Sequence, residues 1–448
     1  METTRRDALK RSGLAAAAAV TAGGATARSA LADGPSGVKS ADKAKKPWYE
    51  LDVMDDAVLN DVLLFYLSAS YQQLTDIGEV LDTATRVDAA DRWSWPREWV
   101  KTADRVRALG EASHSDGHRQ SAGETLMRAS TYYRAALHRW PEPGDRRVKT
   151  LTTKAVATYE TALELLDLEV ESVRIPYERT TLPGWLFRAT GKDGKPLAKA
   201  PLLIIHEGRD AWAEDCLYLA RGAMRRGYHC LVFDGPGQGK VLRLQGLPLR
   251  PDWERVVTPV VDFAVRQRGV DPHRLALMGL SMGGALAPRA AAFEHRLKLL
   301  IANPGVLDWA AIVDGQMRGY LGDGVVGLLD TDPAAFDAKV RAIMARNAFL
   351  RWGVDDLMWK HGGKTPSETL LGMRAYNNRP VVDRITARTL VMDGTADPYA
   401  QGKLLMGALR APKHHMLFTA QDTGLAHVQN GALGVSSQRF FDWFDRYI

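Results

Sequence analysis

The stretch "LALMGLSMGGALAPRAAAF" at residues 275–293 decides how the chain is read. Its first half is an uncharged apolar run, its second half is rich in alanine, and Ser281 stands between Gly279 and Gly283 at the joint. A buried strand running into a helix of small residues fits that pattern. A G-x-S-x-G sequence at such a joint sets the serine on a tight turn that lacks room for neighbouring Cβ atoms, so its Oγ projects upward. The following helix aims its N-terminus at the same place, where backbone N–H groups, chiefly that of Met282, can hold a developing oxyanion. Taken alone, the motif is equally a common accident of glycine-rich links.

The partners decide. A serine nucleophile on a strand–helix turn needs an acid and then a histidine, each after a later strand. The apolar run "RTLVMD" leads into "GTADP", which places Asp397 beyond a strand end, and "HHMLFTA" leads into "QDTGLAHVQNG", which places His427 in the same way. Ser281, Asp397 and His427 therefore follow the required order and fall at one edge of the expected sheet. His427 would take the Ser281 proton, and Asp397 would fix the imidazole tautomer and steady the imidazolium. Asp393 is the competing acid, but it ends the strand itself and is expected to bond loop backbone. His414 and His415 alternate within a strand, and His114 and His118 fall in a polar "SHSDGH" loop. A second oxyanion donor is expected from "LLIIHEGRDAWAED", where Gly208 lets the chain turn and the N–H of Arg209 would donate. "FDGPGQGK" at residues 233–240 lacks the spacing of a phosphate loop and reads as a structural turn, with Asp234 bonding loop backbone.

Around these residues the chain divides. Residues 48–168 carry apolar positions at helical spacing in "AVLNDVLLFYLSAS", "SAGETLMRASTYYRAALHRW" and "VKTLTTKAVATYETALELLDL". From residue 169 to 448 the pattern becomes strands alternating with helices, which predicts an α/β fold with a mostly parallel central sheet. The alternation lapses over 306–380, where helical patterns form an insertion placed to cap the ligand-binding edge.

Composition is that of a globular chain of 448 residues, 46% hydrophobic and 25% charged. Residues 1–32 hold five Lys or Arg against two acids, so half of the formal +6 sits there, and the remaining +3 is too weak to suggest nucleic acid. That segment pairs Arg5 and Arg6 ahead of a short alanine-rich run and ends in "SALADG", with Ala30 and Ala32 spaced for cleavage. It resembles a twin-arginine (Tat) signal peptide, although Ala8 stands where Phe is usual, and implies export through the Tat machinery to the periplasm or exterior. The run is too short for stable membrane insertion, and residues 33–47 read as a disordered linker. Cys216 and Cys230 could form one disulfide in an oxidising compartment or remain two buried thiols. No metal-ligand spacing is present, and no cofactor is implied.

The segments "VFDGPGQGK", "GLPLRPDWERVVTPVVDF", "VDPHRLALMGLSMGGALAPRAAAFEHRLKLLIAN", "LRWGVDDLMW" and "RITARTLVMDGTADP" together resemble the α/β-hydrolases grouped with the esterase FrsA. Dihydroxypseudooxynicotine hydrolase and the fungal polyketide-shortening hydrolases belong to the same group. The resemblance runs from about residue 50 to the end. It implies Ser281 as nucleophile, Asp397 as acid and His427 as base, under a lid built from the N-terminal helices and the insertion. Arg209 departs from the group, which usually has a smaller or apolar residue there. Some members cleave esters and others a C–C bond beside a carbonyl, and a triad serves both.

The leading expectation is thus an exported serine hydrolase of a small-molecule carboxylic ester, lactone or thioester, working through an acyl-enzyme. Retro-Claisen cleavage of a β-diketone or polyketide-type substrate is the alternative. A prolyl-oligopeptidase-like peptidase ranks below both, because residues 50–170 are helical where a β-propeller would be expected. A non-catalytic binding module would need a missing triad member. Homodimer formation is left open by the sequence.

Overall fold

Eight strands form one sheet in the order β1-β2-β4-β3-β5-β6-β7-β8. They are β1 (Val170–Tyr177), β2 (Thr180–Phe187), β3 (Ala200–His206), β4 (His229–Phe233), β5 (Val270–Leu280), β6 (Leu299–Asn303), β7 (Arg388–Gly394) and β8 (Lys413–Phe418). β2 runs antiparallel to β1 and β4, and β3 to β8 pair in parallel. The computed structural model describes residues 47–448 except 192 and 193. The expected signal segment at 1–32, nearly all of the expected 33–47 linker and part of the expected "GKDGKP" turn lie outside the described residues.

The central strands are apolar because both of their faces are covered. Every residue of β3 is buried. Alternate side chains then serve opposite cores: Leu202, Ile204, Leu275 and Leu277 join helices Glu254–Ala264 and Gly283–Ala291 on one face. Leu203, Ile205, Ala276 and Met278 join helices Leu217–Met224 and Leu433–Tyr447 on the other. Crossover helices on both faces follow from right-handed βαβ connections.

Among the described residues, five α-helices lie ahead of the sheet: Ala57–Ser68, Ile77–Thr85, Ser94–Ser115, Arg119–His138 and Arg146–Leu165. Aromatic residues such as Trp95, Trp99 and Tyr132 build their own core, to which Trp212 of the sheet region adds. His114 is not in a loop: it sits in the last turn of helix Ser94–Ser115, and His118 caps the next helix. "SWPREWVKTADRVRALGEASHS" is helical despite its polar average, because only one narrow stripe (Trp95, Trp99, Ala103, Val106) is buried. Between β6 and β7, six helical pieces from Trp309–Leu321 to Pro366–Met373 interrupt the sheet.

Candidate active site

β5 ends at Leu280, and the next helix begins at Gly283, so two residues make the turn. Ser281 takes φ 58°, left-handed backbone that a non-glycine residue adopts at a cost of about 1–3 kcal/mol. The close approach explains its neighbours. A Cβ on Gly279 would lie 2.0 Å from the Gly283 carbonyl oxygen, and one on Gly283 only 3.1 Å from that of Glu207. The turn is locked from outside by Asn303 at the end of β6, whose carbonyl accepts the Ser281 N–H at 2.7 Å.

Above this turn the three residues that the sequence order picks out meet. Ser281 Oγ lies 3.0 Å from His427 Nε2, and His427 Nδ1 lies 2.9 Å from Asp397 Oδ2. The Asp397 side chain is fully buried, and its other oxygen accepts the Tyr399 N–H at 2.9 Å. The Tyr399 ring stands edge-on to His427 at 4.8 Å and stacks on Trp309 of the inserted helices. Asp393 is elsewhere: it accepts the Gly305 N–H and pairs with His415 at 2.9 Å.

The turn after β3 closes over the serine. A Cβ on Gly208 would lie 2.5 Å from the backbone nitrogen of Met282, so glycine alone lets the two segments touch. Gln238 of the "FDGPGQGK" loop donates its Nε2 to the Glu207 and Gly208 carbonyls. In a trans peptide the next N–H points opposite to the carbonyl. The Arg209 N–H therefore faces away from Gln238. The loop is itself held by Asp234, which accepts from the N–H groups of Ala213 and Lys240. Lys240 is tied to Glu214 at 2.7 Å.

Gln238 and Asn303 escaped the sequence reading, as did Gln429. Asn303 and Gln429 exchange amide hydrogen bonds of 2.9 and 3.1 Å, which tie the His427 loop to the nucleophile turn. The one local signal was a polar residue closing an otherwise apolar strand, "LLIAN". Cys216 and Cys230 are both buried free thiols, and Cys216 donates to Glu207 at 3.3 Å.

A cavity of about 240 Å³ opens on Ser281 and His427. Its far wall comes from the N-terminal helical region, with Asp61, Leu64, Phe65 and His138, and Trp309 represents the inserted helices. Burial, with Glu50 and Asp56 nearby, raises the Asp61 carboxyl to about 7 against a smaller opposing pull from His427. Burial likewise raises Glu207 to about 8, aided by Asp215, so it stays protonated at neutral pH. Burial lowers His138 to about 3, and the imidazole is neutral.

The sheet order, the strained serine and the hydrogen-bonded Ser–His–Asp chain define a class of protein. A family model described as the alpha/beta hydrolase family matches residues 202–433, and the chain belongs to that family. It is similar to 20-hydroxy-prefusarin hydrolase FUS2 of Gibberella moniliformis, 32% identical over 402 residues that cover 83% of this chain and 92% of that one. Hydrolase acrC of Aspergillus aculeatus is 32% identical over 397 residues, with the same two coverages. Among solved structures, 2,6-dihydroxy-pseudo-oxynicotine hydrolase superposes with a TM-score of 0.64 at 20% identity, covering 85% of this chain and 95% of that one. The chain is a hydrolase.

Proposed function

We propose that this hydrolase uses Ser281 as a nucleophile to cleave a small-molecule carboxylic ester, lactone or thioester through a covalent acyl-enzyme. The observation that carries the proposal is the continuous chain Ser281 Oγ–His427 Nε2–Asp397 at 3.0 and 2.9 Å, facing a roofed cavity. With the Nδ1 proton held by Asp397, Nε2 is free to accept the serine proton. Oγ adds to the substrate carbonyl, and the resulting oxyanion takes hydrogen bonds from the N–H groups of Met282 and Arg209. The imidazolium then protonates the leaving oxygen, the C–O bond breaks, and water repeats the cycle on the acyl-enzyme. Pocket size and the small-molecule names of the relatives support a compact organic substrate over a polypeptide.

A second reading is retro-Claisen cleavage, in which the bond electrons leave on carbon as an enolate that must be protonated. Asp61 favours it: its carboxyl lines the cavity, retains its proton to about pH 7 and senses His427. The twin-arginine segment supports export, which cell fractionation of a full-length chain with Arg5 and Arg6 replaced by lysine would test. For the chemistry, an alkyl fluorophosphonate should label the wild-type chain once and leave Ser281→Ala unlabelled. Equal labelling of both, or none of the wild type, contradicts the proposal.

A further inference from the structure

Arg209 brings a side chain as well as a backbone N–H to the Ser281 cavity. Its side chain is 3% exposed and lies in the wall of the cavity that opens on Ser281. Nη2 is fully buried and has no hydrogen-bond partner among the described residues. Nε approaches only Asp210, at 3.6 Å, longer than a hydrogen bond. Asp210 is already engaged, because Lys360 Nζ sits 2.6 Å from its Oδ1. Burial would raise the Asp210 carboxyl, yet Lys360 and then Arg209 pull it well below the usual carboxylate range. Asp210 is thus an anion shared by two cations, of which Lys360 also pairs with Asp356 at 2.9 Å. A buried guanidinium without hydrogen bonds is costly, and because Arg209 lines the cavity, a shift of its side chain would let a ligand oxygen there offer the compensation.

A second unpartnered nitrogen belongs to another residue that lines the cavity. His138 Nδ1 meets the Tyr66 hydroxyl at 3.1 Å, whereas its buried Nε2 has no partner. Where Tyr66 donates to Nδ1, the neutral ring carries its proton on Nε2 as a further donor, and where Nδ1 donates to Tyr66, Nε2 is an acceptor. Asp210 is the cavity acid that shares the charge of Arg209, and two others are engaged elsewhere or protonated. Asp215 is held by Arg134 at 2.8 Å. Asp61 is influenced by Glu50, Asp56 and His427 and keeps its proton to about pH 7.

We propose that Arg209 is the specificity-determining residue of this hydrolase, and that its preferred substrates carry an anionic oxygen, a carboxylate or an enolate, bound by the guanidinium beside the scissile carbonyl. The inference rests on the serine-hydrolase reading above. Because the Arg209 N–H borders the Ser281 turn, a substrate held by both groups has its anionic oxygen a few bonds from the carbonyl under attack. Replacing the side chain leaves the backbone donor in place.

The test measures how fast an alkyl fluorophosphonate labels Ser281 while small ligands compete for the cavity. One arm compares cyclohexanecarboxylate with cyclohexanecarboxamide. The other compares the enolate of cyclohexane-1,3-dione with its 2,2-dimethyl derivative, which cannot form the acidic enolate between the two carbonyls and stays neutral. In at least one arm the anion should protect at a concentration about tenfold or more below its neutral partner, the size of one charge-assisted hydrogen bond. The arm that responds tells carboxylate from enolate. Arg209→Met should bring that ratio to about one, and Arg209→Lys, which keeps the charge without the fork, to an intermediate value. A wild-type ratio near one in both arms overturns the proposal, and so does a ratio that survives in Arg209→Met. Should Arg209→Met not fold, the wild-type and Arg209→Lys ratios decide: an unchanged ratio in Arg209→Lys counts against the guanidinium. Absence of labelling in the wild type would instead count against Ser281 as nucleophile.

Discussion

Asp397→Asn isolates the electrostatic part of the proposed machinery with almost no change of shape. In the wild type one carboxylate oxygen accepts the Tyr399 N–H at 2.9 Å and the other faces His427 Nδ1 at 2.9 Å. An asparagine keeps its oxygen toward the Tyr399 N–H at 2.9 Å, because the other position meets only the weaker Val428 N–H at 3.4 Å. Its NH₂ then points at Nδ1, where it can only donate. The imidazole is forced to carry its proton on Nε2, the nitrogen 3.0 Å from Ser281 Oγ. A protonated Nε2 cannot accept from the serine, so the general base is lost. The loss expected for a wrong-tautomer histidine is about 10⁴ in kcat, equivalent to about 5.4 kcal/mol of transition-state stabilisation. Steady-state hydrolysis of a 4-nitrophenyl ester measures it, with circular dichroism and the thermal midpoint checking that the fold is unchanged. A loss below about tenfold in a folded variant would refute the role given to Asp397.

Three other perturbations test the surrounding structure. Gly284→Ala would set a Cβ 1.9 Å from the Pro304 carbonyl oxygen. Chemical denaturation should show a loss of about 3 kcal/mol or more, since backbone cannot swing aside. Arg134→Met strands the buried Asp215 carboxylate, now paired at 2.8 Å, and should cost about 3–5 kcal/mol in the same assay, with Arg134→Met/Asp215→Asn recovering part of it. Asp61→Asn tests the raised carboxyl: the folded chain holds that proton to about pH 7, whereas the unfolded chain releases it near 3.8. Asp61 therefore lowers stability progressively as pH rises across that window, and the full penalty of up to about 4 kcal/mol stands above it. The variant should be more stable than wild type at pH 8 and no more stable at pH 4.

The fold was legible where local chemistry and global placement agree. β3 and β5 are unbroken apolar runs because both sheet faces are covered, and nothing but a buried parallel strand suits such runs between helical stretches. Ser281, Asp397 and His427 could be picked out because each follows a strand in a fixed order. The helix Ser94–Ser115 was less readable, since its one buried stripe is diluted by charges. Long-range partners left no local mark. Gln238 bonds carbonyls about thirty residues away, and Asn303 meets Gln429 across 126 residues. The surroundings of the Arg209 side chain were hidden for the same reason, because Lys360, which pairs with its neighbour Asp210, comes from a distant part of the chain. The sequence could flag Arg209 as unusual, but only the packed structure shows its guanidinium without a hydrogen bond at Nη2.

The central claim is a covalent acyl-enzyme on Ser281, and mass spectrometry of the chain quenched during turnover of a 4-nitrophenyl ester tests it most directly. The account predicts a mass increase of one acyl group, located by proteolysis to the peptide containing Ser281 and absent from Ser281→Ala. Turnover with no acylated serine in the quenched wild type, or undiminished turnover by Ser281→Ala, would contradict it.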